Sequence, residues 1–79
     1  MNSFWVEFTD STTIGKIDAG LKAVPAIDPE LQDDTWFFDA EWGTSQKDIN
    51  NLKGRIETKS GRNSVLDIGL QADDKIRQK

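Results

Sequence analysis

The stretch Thr35-Trp36-Phe37-Phe38-Asp39-Ala40-Glu41-Trp42 most constrains the fold. It holds four of the chain's seven aromatic residues. Read with a period of two, Trp36, Phe38, Ala40 and Trp42 point one way, and Phe37, Asp39 and Glu41 the other. Adjacent phenylalanines and a tryptophan favour strand over helix, and Gly43 ends the run. The reading is a half-buried central strand with an apolar face and an acidic face carrying one aromatic.

A second stretch repeats this pattern. In Phe4-Trp5-Val6-Glu7-Phe8-Thr9, the residues Phe4, Val6 and Phe8 share one side, and Trp5, Glu7 and Thr9 the other. Asp10 and Ser11 then offer helix-capping oxygens. From Thr12 the period changes. Ile14, Ile17, Leu21 and Val24 make a helical stripe, and Pro25 stops it. Gly15 and Gly20 weaken this helix by ~1 kcal/mol each and leave a β-meander over 12–24 as the rival. Residues 26–34 read as a connection, with Asp28-Pro29 favouring a turn or a first helical turn and Ile27 and Leu31 pinning it to the core edge.

Ser45 and Asp48 form a capping box with aspartate in place of glutamate. Ile49, Leu52 and Ile56 continue it as a helix from Gln46 to about Lys59, closed by Gly61. The rival ends the helix at Lys53 with Gly54 as its cap and makes 55–59 a strand. Ser64–Gln71 is a third strand, with Leu66, Ile68 and Leu70 expected on the core side. The expected floor of the core is Trp36, Phe38, Ala40 and Trp42 against Ile14, Ile17, Leu21, Ile49 and Leu52.

The resulting order is β-α-β-α-β. Same-handed crossovers place both helices on one face of a short parallel or mixed sheet. The fold class is therefore α/β or α+β: a small two-layer sandwich whose second sheet face is open. One domain spans 1–72, with a charged tail at 73–79, frayed or briefly helical. Seventy-nine residues allow no second core, since a chain near this size buries only ~60% of the surface its unfolded form exposes.

Composition narrows the chemistry. Cysteine and histidine are both absent, which removes disulfides, thiolate metal sites and the commonest general base. No cofactor or metal is expected, and no enzyme activity. Serines and threonines lack a histidine partner. A Ser-Lys dyad could draw on Lys16, Lys47, Lys53 or Lys59, but nothing points to one. Gly15-Lys16 lacks the other glycines of a phosphate loop. Asp28, Glu30, Asp33 and Asp34 crowd one loop without the spacing of a calcium loop. Asp39 and Glu41, roughly 6.6 Å apart on one strand face, could act as paired carboxylates, but a chain this small has little room for a pocket.

Net charge is −4, with nine acids against two bases in 1–44 and five against eight in 45–79. No signal-like or membrane-length apolar run occurs, so a cytoplasmic location without membrane contact is expected. The open sheet face is the best lead. Trp5, Glu7, Phe37, Asp39 and Glu41 would form one acidic-aromatic patch suited to a basic partner through cation–π contact and charge steering. The expected function is a small acidic protein-binding module: an inhibitor, an immunity or phage-type anti-defence protein, or an adaptor. The alternative cover for Trp5 and Phe37 is the tail, the 25–34 loop or a second copy of the chain. A homodimer or structural subunit using the same face is the second reading. A nucleic-acid mimic presenting Asp28, Glu30, Asp33, Asp34, Asp39 and Glu41, or a weak nucleic-acid binder using Lys53, Arg55, Lys59 and Arg62, is the third. Nucleic acid is disfavoured because the aromatics accompany acids rather than bases.

Overall fold

A computed structural model describes residues 1–72 and 75–78. The elements are β1 (Asn2–Phe8), α1 (Ile14–Lys22), β2 (Ile27–Gln32), β3 (Thr35–Ala40), α2 (Gln46–Ser60) and β4 (Val65–Leu70). They form one four-stranded sheet in the order β2-β3-β1-β4, every neighbouring pair antiparallel. Both helices pack on one face, giving a two-layer α+β sandwich.

The expected parallel or mixed sheet is corrected by the strand at 27–32, which the sequence reading took for a connection. β2 turns into β3 through Asp33-Asp34, with Asp33 at φ 57°, so that Gln32 pairs with Thr35. Tight hairpin turns need such a positive φ. With β2 in place, β1 and β2 run parallel with β3 between them, and β3 and β4 run parallel with β1 between them. Each crossover helix therefore spans an intervening strand. This is the split β-α-β arrangement of ferredoxin-like folds, a scaffold that hosts many unrelated functions.

The helix-side core contains Phe4, Val6, Phe38 and Ala40 from the two central strands, under Leu21, Val24, Ile49, Leu52 and Ile56. Phe4 and Phe38 face each other across the strands with ring centroids 5.7 Å apart. Trp36 and Trp42 pack at the core margin, and the Trp42 indole Nε1 donates to the Asp48 carbonyl at 2.7 Å. Ile14, expected in the core, is 67% exposed. It opens the first turn of α1, just beyond the Thr13 cap that replaces the anticipated Asp10 or Ser11. Gly20 is explained by packing. A Cβ there would come within 3.0 Å of Ile56 Cγ2, the Ile56 carbonyl oxygen and Ser60 Cβ, so the glycine lets α1 approach α2.

α2 takes the longer of the two anticipated forms. The Ser45–Asp48 capping box closes with bonds of 3.1 and 3.2 Å, and the Gly61 N–H closes the far end on the Glu57 carbonyl at 3.0 Å. In β4 the expected core row is half corrected. Phe8 pairs with Val65 and Glu7 with Asp67, so Leu66 is the extra residue of a bulge and is 67% exposed. Val65 and Ile68 take the core side instead, and Leu70 lies opposite Phe4 but stays exposed. A bulge breaks the period of two, which is how residues three apart reach one face.

Candidate functional site

The face of the sheet turned away from the helices carries the anticipated residues. Trp5 stands directly across from Phe37, Ser3 from Asp39, and Glu7 from Asp67. Trp5 also lies beside Gly69 of β4, where a Cβ would meet its indole at 3.0 Å. The glycine thus gives the ring a place to lie flat over its neighbour strand. Asp39 accepts a 2.6 Å hydrogen bond from Ser3 Oγ. Glu41 falls just past the end of β3, exposed at the rim, 3.6 Å from the N-terminal ammonium. Four of the five residues therefore share the face, and Glu41 sits at its edge.

The face is not open. Phe37 is only 6% exposed, against 0% for Phe38 beside it on the helix side. The cover is the chain's own C-terminal segment. Gln71 begins it: its N–H donates to the Ser3 carbonyl and its side-chain amide to the Phe4 carbonyl, both at 3.1 Å. Ala72 and Lys75 then form a β-bridge. The Lys75 ammonium lies 4.4 Å from the centroid of the Trp5 ring and pairs with Glu7. Ile76, 44% exposed, and Phe37 both line a shallow depression of about 260 Å³ together with Gln32 and Thr35. Arg77 donates from Nη2 to the Asp28 carbonyl at 2.8 Å, and Gln78 exchanges two hydrogen bonds with Gln32, at 2.6 and 2.7 Å.

This segment is neither frayed nor helical where it is described; Asp73, Asp74 and Lys79 of the expected tail lie outside the described residues. Of the three alternative covers for Trp5 and Phe37, the tail is the one found, and Lys75, Ile76 and Arg77 are the residues within it that sequence reasoning did not single out. A signal for them was present: a base, an apolar residue and a base in series, matching a face of acids and aromatics. The match is imperfect. Arg77 Nε is buried with no hydrogen-bond partner, which costs about 1–3 kcal/mol.

The remaining candidates do not assemble. Lys16 and Arg62 flank a hydroxyl-lined depression, but its hydroxyls satisfy each other: Thr9 with Thr12 at 2.8 Å and Ser60 with Ser64 at 2.6 Å. Among the described residues, no three acidic side chains gather as a metal site. Arg55 of α2 lies 6.0 Å from the Trp42 ring centroid, so its guanidinium is engaged with the core margin. No helix among the described residues is long and apolar enough to cross a membrane. Comparison with protein-family models, with curated proteins and with solved structures found no match.

Proposed function

We propose that the protein is a small acidic protein-binding module, an inhibitor or adaptor, that takes a short lysine- and arginine-bearing segment of a partner on the Trp5–Glu7–Phe37–Asp39 face. One observation carries this reading: the chain's own Lys75-Ile76-Arg77 already occupies the face, with the lysine over Trp5 and against Glu7. The tail is then a resident ligand that defines the chemistry: an ammonium for the Trp5–Glu7 corner, an apolar side chain for Phe37 and a guanidinium beside it. Cation–π contact at partly desolvated sites contributes about 1–2 kcal/mol, so no single contact makes the tail permanent. A tethered ligand competes at an effective concentration in the millimolar range. A partner segment that also satisfies its guanidinium nitrogens would displace it.

The test is a titration of the full chain with an extended Lys-Ile-Arg peptide, followed at the Trp5 indole by NMR. Lys75→Ala with Arg77→Ala weakens the resident tail and is expected to tighten peptide binding about tenfold or more. Adding Glu7→Gln to that pair is expected to reverse the gain. Equal affinity in wild type and double variant, or indifference to Glu7→Gln, would overturn the reading.

A further inference from the structure

A different surface, on the helix side of the sheet, reaches beyond this reading. β2 is exposed along nearly its whole length, and Leu31, which pairs with Trp36 and so shares its helix-side face, is left 51% exposed. Between α1 and β2 lies a depression of about 420 Å³ lined by Ile14, Leu21, Pro29 and Trp36. A second, smaller one on the other side of Trp36 reaches Leu31 and Ile17. Ile14 and Leu31, at 67% and 51% exposure, present their side chains to solvent on either side of this tryptophan. A contiguous exposed apolar patch of this kind marks a docking surface more often than a scattered leucine does.

The charged residues that line it are all acidic. Asp10, Asp18, Asp33 and Asp34 line the two depressions, and no lysine or arginine lines either among the described residues. Asp18 is engaged by Lys22 at 3.0 Å. Among the described residues, no ion pair engages Asp10, Asp33 or Asp34. An apolar floor with an acidic rim repels nucleic acid, anionic lipid and a second copy of itself, because each would bring like charges together. It complements an apolar stripe flanked by bases. The backbone selects the form of that stripe. β2 is an edge strand, but Pro29 has no N–H to offer and the register shifts between Ile27 and Glu30, so a partner strand cannot add along it. Two apolar side chains one helical turn apart can straddle Trp36.

We infer that the α1–β2 surface around Trp36 docks the apolar face of a basic amphipathic helix from another protein. The probe is a leucine–lysine amphipathic peptide, titrated into the full chain with the Trp36 indole and the Ile14 and Leu31 methyls observed by NMR. Shifts are expected at these groups, with Trp5 unmoved. Ile14→Ser with Leu31→Ser, both exposed and so harmless to folding, are expected to weaken binding about tenfold or more. Asp33→Asn with Asp34→Asn are expected to weaken it by a smaller factor that vanishes at high salt. A peptide with glutamate in place of lysine is expected not to bind. The inference is overturned if that acidic peptide binds equally, if the double serine variant binds as wild type does, if anionic vesicles or nucleic acid shift the same methyls, or if the methyls shift with protein concentration alone. Because the readout is Trp36 rather than Trp5, its failure is separate from failure of the sheet-face reading.

Discussion

The two faces of one sheet are covered by unlike means. On the helix side, Phe4, Val6, Phe38 and Ala40 meet leucine and isoleucine from two capped helices, and Val24 just past the first. On the other side, Trp5 and Phe37 meet an extended segment held by an ion pair, a cation–π contact and amide hydrogen bonds. The first cover is apolar burial, which water cannot replace. The second is largely polar, and its polar contacts each have an aqueous alternative, so apart from the burial of Phe37 its net contribution is small. On the proposed reading, one cover is the fold and the other is exchangeable. Equal burial of two neighbouring phenylalanines therefore does not imply equal roles.

The adjacent pair Phe37 and Phe38 gives the largest contrast. Phe38→Ala opens a cavity between fixed helices and is expected to cost about 3–5 kcal/mol, read by chemical denaturation. Phe37→Ala is expected to cost clearly less, because the tail can settle or solvent can enter. Equal losses would break the comparison. Next is a chain ending at Gln71. Re-exposing Phe37 is expected to cost about 1.5–3 kcal/mol, with a cooperative transition retained and Trp5 newly accessible to a fluorescence quencher. Complete unfolding would show that the tail belongs to the core. Lys75→Ala removes a pair about a third exposed on the lysine side, so about 1 kcal/mol or less is expected, diminishing with added salt if the Glu7 pair carries it. The smallest effect has the opposite sign. No atom approaches the position of a Cβ at Gly54, so Gly54→Ala is expected to add about 0.5–1 kcal/mol through helix propensity. That gain should raise global stability and leave tail opening unchanged.

Both helices and three of the strands were legible as elements, most cleanly where the period is unbroken. The Ser45–Asp48 box and the Ile49-Leu52 spacing state the start of α2, while Gly54 left its second half open between helix and strand, and Phe4-Val6-Phe8 states β1. β2 was not legible, because a proline and a bulge with Asp28 at φ 50° hide an edge strand behind turn-like residues. Leu66 was misplaced because the bulge shifts the alternation at that one point: Ile68 and Leu70 keep their side, while Val65, three residues before Ile68, takes the core place expected of Leu66. Among the site residues, Trp5, Glu7, Phe37 and Asp39 were legible from alternation alone. Their cover was legible only as one of three alternatives, the tail beside the 25–34 loop and a second copy, since a tail of mostly charged and polar residues has no periodicity and takes its conformation from the face it lies on.

Native-state amide hydrogen exchange tests the exchangeable cover most directly. The amides of Gln71, Lys75 and Gln78 bond to the Ser3 carbonyl, the Ala72 carbonyl and the Gln32 side chain, whereas that of Ile49 closes the first turn of α2 on Ser45. If the tail is a resident ligand, its amides exchange through an opening several kcal/mol cheaper than global unfolding, while the central β1–β3 amides and the interior of α2 exchange only with it. Tail amides protected to the same free energy as those of the β1–β3 ladder would contradict the account, and would make the second face as much a part of the fold as the first.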